Sequence, residues 1–404
     1  MSASQRKLEL TSSLAKKLVR QHGFSAKIES TTDRRVALEG ADYVIVTFRV
    51  GGNDAYRMDL EIPAKYGVKQ AFADILGPGG VFYALRHIPA LLDICHDIED
   101  LCPDALLMNY ANPLAMLCWA ANDYSRVETV GICDSVQTTA TDLAKYIRAP
   151  LEEVTYWVAG INHMAWFLEF KWRGKDAYPL LREAFKDRGA YDRPDAHREG
   201  PDLARVELFK ALGYFNTESS QHISEYLPYF RKRPDLFETF KLGFAIDLSE
   251  PVMAAQKRDE AELKRLVEGN AKMELPVLAQ ENSSHIIHCI ETNATRRINA
   301  NVKNSGLITN LPSGACVEVP ILVDGTGLRP CHVGDLPPQC AGLNRTNINV
   351  QELAVKAAVE RSKTLAFQAI LLDPLTSAIL TIDEIQKMVD EMFKAEEKYL
   401  PDFK

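Results

Sequence analysis

The chain has 404 residues, enough for one large core or two domains sharing an interface. Hydrophobic residues make up 46% and charged residues 25%, an ordinary globular balance, and the net charge of −8 argues against a broad nucleic-acid surface. No stretch approaches the ~20 apolar residues that a membrane helix needs. The eight cysteines (Cys95, Cys102, Cys118, Cys133, Cys289, Cys316, Cys331 and Cys340) form no CxxC pair and no disulfide framework. They read as reduced thiols. The start, Met1 to Lys7, leads into an amphipathic helix and has no signal-peptide apolar core, so a cytoplasmic protein is expected. The densest basic run, Arg231-Lys232-Arg233, reads as a solvated loop.

Residues 4–21 carry Leu8, Thr11, Leu14, Ala15 and Leu18 on one helical face, ended by His22-Gly23. A short strand is expected at Lys27–Ser30, then a strand over Tyr43–Phe48 whose apolar run suits burial on both faces. After Gly77-Pro78-Gly79-Gly80 a long helix turns Leu85, Ile88, Leu91, Leu92 and Cys95 inward. Strands at Ala105–Met108 and Thr129–Ile132 alternate with helices to about Tyr124 and Ile147. Such alternation means parallel pairing and right-handed crossovers. Arg57, Asn112 and Cys133 each fall just past a predicted strand end, and in an open parallel sheet those ends line the ligand crevice.

The pattern changes near Leu151. Thr155–Ala159 and Ala165–Trp172 read as strands of a different sheet. From Pro201 the chain reads as mostly helical, with strands near Gly306–Thr309 and Val317–Leu322 and closing helices at Val350–Leu371 and Ile382–Tyr399. The fold class is therefore α/β. A Rossmann-like parallel sheet occupies 1–150, and an α+β substrate, metal-binding and oligomerisation domain of the lactate/malate dehydrogenase-like type occupies 151–404.

Several residues carry chemistry on one reading and none on another. Cys133, in Gly131-Ile132-Cys133-Asp134-Ser135, is either a buried small hydrophobe or a soft ligand. His163, in Gly160-Ile161-Asn162-His163-Met164, is either a hydrogen-bonded structural histidine or a partner ligand. Together they suit one divalent metal with open positions for water and substrate. Asp134 either caps the next helix or serves as a general acid. Gly77-Pro78-Gly79-Gly80 either lets backbone approach a ligand or makes a tight turn. Asn109–Pro113 puts two amides at the crevice mouth, with Pro113 at a first helical position and Asn112 as its N-cap. Thr217–Tyr229 crowds Glu218, Ser219, Ser220, His222, Glu225 and Tyr226, and composition favours an exposed helix over a site wall.

These pieces, in this order, resemble glycoside hydrolase family 4, the NAD- and metal-dependent kind, and within it the α-galactosidase branch. The segments that carry the resemblance are Phe48–Gly52 with Arg57, Leu76–Gly80 with Ala84-Leu85-Arg86, and Asn109–Met116. Gly131–Gln137, Ala159–Met164, Gly213–Tyr226, Asn301–Gly306, Val317–Pro320, Asn347–Gln351 and Leu371–Pro374 continue it across essentially the whole chain. The resemblance implies Cys133 and His163 as ligands of a metal, usually manganese, and Arg57 and Asn112 as substrate-holding residues. It implies Tyr226 as the base and Asp134 as the proton donor, and it leaves Thr47, Arg49 and Asn109 to the NAD half-site. It also implies a homodimer or homotetramer acting on a small-molecule glycoside; the charge and hydropathy above leave neither nucleic acid nor membrane as an expected partner.

The chain departs from the family pattern twice. The α-galactosidase branch typically reads Cys-His-Ser-Val where this chain reads Cys133-Asp134-Ser135-Val136. Family members also begin with a strand, a glycine-rich turn, a helix and a second strand ending in an acid, whereas Met1 falls just after that point. Truncation at the N-terminus is the expectation. The expected reaction is hydrolysis of α-galactosides or related α-glycosides by oxidation, elimination, addition and re-reduction, an exception to the two-carboxylate rule. A lactate/malate-type dehydrogenase and an inactive truncated paralogue are the alternatives.

Overall fold

The computed structural model describes residues 1–404 apart from 3, 193–199, 245–257, 259, 270–271 and 275–281. Part of the helical region expected after Pro201 therefore lies outside the described residues. Three parallel strands come first: β1 (Tyr43–Val46), β2 (Leu106–Asn109) and β3 (Thr129–Gly131). The helices Gly52–Lys65, Gly77–Leu101 and Leu114–Tyr124 connect them. Six more strands follow: β4 (Val154–Ile161), β5 (Met164–Trp172), β6 (Lys175–Asp176), β7 (Arg296–Lys303), β8 (Cys316–Asp324) and β9 (Gly327–Pro330).

All nine belong to one sheet of order β1-β2-β3-β7-β8-β4-β5-β6, with β9 on β8. The Rossmann-like parallel part thus runs directly into the antiparallel part of an α+β region. Between them lies the β7–β8 pair, paired with β3 through Gly131 and Asn301 and with β4 through Gly160 and Glu318. Asn301 faces Glu318, so Gly131, Asn301, Glu318 and Gly160 form a single row across four strands.

The larger core packs the helices Gly77–Leu101, Leu114–Tyr124 and Pro338–Glu360 on this sheet. A second core gathers Phe167, Phe170, Phe185, Phe209 and Phe215 behind β4 and β5. Arg86, Asp59 and Glu396 form a buried ion cluster, with Arg86 Nη2 2.6 Å from Asp59 Oδ2 and Arg86 Nη1 also bonded to Glu396. The cluster ties the helix Ile382–Glu396 to the helices Gly52–Lys65 and Gly77–Leu101.

Several elements differ from the sequence reading. Lys27–Ser30 is irregular chain, not a strand. The first strand ends at Val46 and is not buried on both faces: Val44 and Val46 are buried on one, while Ile45 is 51% exposed on the other. Gly306–Thr309 makes only an isolated bridge, Ile308 to Gly334, and the true strand is Arg296–Lys303. The closing helix breaks at Arg361, which has φ 53, into Pro338–Glu360 and Lys363–Leu371. Pro113, not Asn112, is the cap of the helix Leu114–Tyr124. Arg231 is buried, unlike Lys232 and Arg233. Its guanidinium donates to Ser224 Oγ at 2.6 Å, to Gln221 Oε1 and Gly243 O at 2.9 Å, and to Lys69 O at 3.2 Å. Those acceptors replace the solvent that a basic run normally keeps.

Candidate active site

Gly131 at the end of β3 and Gly160 near the end of β4 share one row across the β7–β8 pair, and the segments that follow them converge. Cys133 leaves β3 two residues after Gly131, and His163 sits in the turn between Ile161 and Met164. The Asn162–His163 and Asn112–Pro113 peptide bonds are cis. A third segment runs beside β5, where Phe167 N donates to Phe215 O and Thr217 N to Ala165 O, both at 2.9 Å. It delivers Glu218, whose φ of 67 turns the chain into the helix Ser220–Tyr226.

The ligand atoms of Cys133, His163 and Glu218 lie within 4.8 Å of one another. Glu218 Oε1 is 3.7 Å from His163 Nε2 and 4.0 Å from Cys133 Sγ. Its other oxygen is 3.5 Å from His222 Nδ1, which is 3.0 Å from Ser219 Oγ. Burial pushes the Cys133 thiol well up, and the Glu218 and Glu318 carboxylates add to it. Burial pushes His163 down, against the pull of Glu218 and Asp134, and leaves a neutral imidazole. Thiol, imidazole and carboxylate together form a donor set suited to a borderline divalent metal, whose charge would favour the thiolate.

Tyr226 is 1% exposed, and its Oη accepts from His163 N at 3.4 Å and donates to Asn162 O at 3.3 Å. Burial raises its phenol well above the ordinary value, with Glu225, Glu218 and Asp74 adding to the rise. It is a neutral hydroxyl until positive charge arrives beside it. The helix that carries it is a buried wall of the site and not the exposed helix that its composition favours, since Ser220, Gln221, Ile223, Ser224, Glu225 and Tyr226 are all buried. Asp134 is exposed, caps no backbone N–H of the helix Ser135–Tyr146, and accepts from Thr138 Oγ1 at 3.2 Å.

Asn112 Nδ2 donates to Asp74 Oδ2 at 3.4 Å. Burial pushes Asp74 up to about 7, opposed by the Arg49 charge and raised further by Glu225. Arg49 donates to Tyr83 Oη at 3.0 Å and Asn53 Oδ1 at 3.2 Å and lies over the Tyr56 ring. Thr47 and Arg49 are exposed past the end of β1, on the crevice side where open α/β sheets take ligands. Asn109 is fully buried and spends its amide on its own turn, accepting from Ala111 N and donating to Ala111 O, both at 3.0 Å. Arg57 stands on the solvent face of its helix, paired with Glu61 at 2.9 Å.

Gly77–Gly80 serves close packing. A Cβ on Gly79 would lie 2.6 Å from Ala73 Cβ, and one on Gly80 would lie 2.5 Å from Ile75 C. Sequence reasoning assigned no role to Glu218, Glu318 or Asp74. Glu318 is fully buried, neither carboxylate oxygen has a hydrogen-bond partner, and burial with Glu218 and Asp134 pushes it up to about 8. A lone acid inside the apolar run Cys316–Val323 was the available signal for it.

Residues 1–149 match the family described as Family 4 glycosyl hydrolase, and residues 158–376 match its C-terminal domain. The chain belongs to glycoside hydrolase family 4. An alpha-galactosidase of Bacillus subtilis is 42% identical over 384 residues, 94% of this family 4 chain and 86% of that relative. An alpha-galactosidase of Rhizobium meliloti is 38% identical over 414 residues, 99% of this chain and 82% of the relative. A 6-phospho-alpha-glucosidase from gut microorganisms, solved in complex with NAD and Mn2+, has a TM-score of 0.84 at 21% identity, covering 99% of this chain and 91% of that one. That likeness shows the shared fold. The described helices include none long and apolar enough to cross a membrane.

Proposed function

We propose that this family 4 chain hydrolyses α-galactosides with NAD and a divalent metal, manganese for preference. The observation that carries the reading is the convergence of Cys133, His163 and Glu218 within 4.8 Å, with Tyr226 bonded to the His163 peptide. The α-galactosidase relatives at 42% and 38% identity support the sugar. When bound, the nicotinamide supplies reversible hydride transfer at sugar C3, and the cation supplies Lewis-acid stabilisation of the charge that develops beside it.

In this reading Cys133, His163 and Glu218 hold the cation, and Thr47 and Arg49 hold the dinucleotide at the ends of the parallel strands. Asn109 shapes the neighbouring turn. Residues 1–150 are then the cofactor half and 151–404 the substrate, metal and oligomerisation half. Tyr226 Oη takes the C2 proton, acidified once C3 is a ketone. Asp134, open at the mouth, gives a proton to the leaving oxygen. Asn112 binds the sugar directly, and Arg57 joins it after exchanging Glu61 for a substrate oxygen.

The test is release of the aglycone from an aryl α-galactoside with NAD and Mn2+ added or withheld. Release that needs both is expected. Cys133→Ser and His163→Ala should each lose turnover and manganese affinity measured by titration. Net oxidation with free NADH would instead mark a lactate/malate-type dehydrogenase, and full manganese affinity in both variants would remove the metal site.

A further inference from the structure

Two side-chain amides of the helix Pro338–Glu360 point into the protein. Asn344 and Asn347 are both fully buried and stand three residues apart, on one face of the helix. Asn344 Nδ2 donates to Met164 O at 2.8 Å, and its Oδ1 accepts from Trp166 Nε1 at 3.1 Å. The helix comes so close to β4 here that a Cβ on Gly160 would lie 3.3 Å from Asn344 Oδ1. Asn347 Nδ2 donates to Leu343 O of its own helix at 3.1 Å and to Tyr226 O at 3.3 Å.

These bonds close a circuit. Met164 follows His163 directly, so Asn344 holds the turn that carries the imidazole. Tyr226 is held at both ends. Asn347 grips its carbonyl, and its Oη accepts from His163 N at 3.4 Å and donates to Asn162 O at 3.3 Å. Imidazole and phenol are thus both referred to one helix, from which neither of them comes. Moving either amide would leave a buried carbonyl without its donor. Hydrogen bonds of this kind aim a ligand or a base without touching the substrate. We propose that Asn344 and Asn347 are positioning residues, one setting His163 for the metal and the other setting Tyr226 for the C2 proton. This rests on the roles given to His163 and Tyr226 in the glycosidase reading and adds what keeps the two in register.

Manganese titration of the metal-free chain tests the first amide without turnover. Asn344→Leu should weaken Mn2+ binding about 10-fold, the lower end of what groups behind a metal ligand contribute. Asn344→Gln, which keeps the donor on a longer stem, should recover part of that loss. Asn344→Ala removes the same bonds with less bulk and carries the test should the leucine variant not fold. Asn347→Leu should bind Mn2+ as the wild type does. With NAD and Mn2+ present it should instead lower kcat on an aryl α-galactoside about 10-fold, the worth of one neutral hydrogen bond, at unchanged KM. The isotope effect of deuterium at sugar C2 should rise with it. Thr381→Ala, which removes the cap of the helix Ile382–Glu396, shows the effect of destabilisation alone and should move none of these quantities. Wild-type Mn2+ affinity in Asn344→Leu and Asn344→Ala overturns the proposal. So does a loss in Asn347→Leu that falls in KM with no rise in the isotope effect. A wild type that binds Mn2+ yet releases no aglycone would end the glycosidase reading and the Asn347 half with it, while Asn344 would still stand or fall on the titrations.

Discussion

His87 shows how a single buried side chain couples this fold to pH. It is fully buried, accepts from Val50 N at its Nε2 (3.0 Å), bonds Tyr83 O through Nδ1 (2.6 Å) and stacks on the Tyr83 ring. Burial lowers it from 6.5 to about 3, so the folded protein holds a neutral imidazole where the unfolded chain would take a proton. A base lowered on folding contributes its full stability above the unfolded value. That contribution drains as pH falls from 6.5 towards 3. His87→Gln, which keeps an acceptor for Val50 N, should therefore flatten the loss of stability between pH 7 and pH 4.5 by a few kcal/mol. Urea midpoints of both proteins at the two pH values decide it, and parallel losses would acquit the imidazole. At this same scale the approach of Cys133 to His163 was legible in the sequence, because each lies in a short distinctive motif at an element end. Glu218 was not, since only the pairing of residues 215–217 against β5 brings it to them. Tertiary pairing of that kind leaves no local periodicity to read.

The helix Gly77–Leu101 does two jobs at once. Its buried face from Gly77 to Ile88 fills the core, and its first turn backs the loop that carries Asp74. Gly80→Ala would put a Cβ 2.5 Å from Ile75 C and 2.9 Å from Ile75 O, backbone atoms that can move only if the loop moves. A loss of about 1–3 kcal/mol is expected. Gly342→Ala, inside the helix Pro338–Glu360 with nothing within 4 Å of the new Cβ, should be neutral or gain up to about 1 kcal/mol. Denaturation curves that rank the two variants the other way would refute this account of the glycines. Strongly periodic elements were legible from sequence: the helices Gln5–His22 and Ile382–Glu396, and the strands β2, β4, β5 and β8. The misreadings share a physical cause. Ile45 is apolar yet exposed because little covers its face of β1, and the polar helix Ser220–Tyr226 is buried because its side chains find partners inside. Both depend on what lies across from a residue, which composition does not record.

At the scale of the whole molecule, the Arg86–Asp59–Glu396 cluster joins the chain's last long helix to two near its start. Burial pushes the Asp59 carboxyl up to about 6 and raises Glu396, so the guanidinium is what makes two buried acids tolerable. Arg86→Met should cost about 3–5 kcal/mol in urea denaturation, since it strands both acids. A loss below about 1 kcal/mol would show that the cluster is not a tie between the two ends. The order of strands in the sheet has a further bearing, on synthesis. β3 and β4 follow closely in the chain, yet neither is the other's neighbour; the β7–β8 hairpin, residues 296–324, fits between them. As the chain leaves the ribosome, two open sheet edges wait until that hairpin emerges to close them. Cys133 and His163 flank this gap, one on each side, so the three candidate ligands meet only once that hairpin is in place. A nascent or half-folded chain would then present scattered thiol, imidazole and carboxylate groups but no assembled trap for a metal ion.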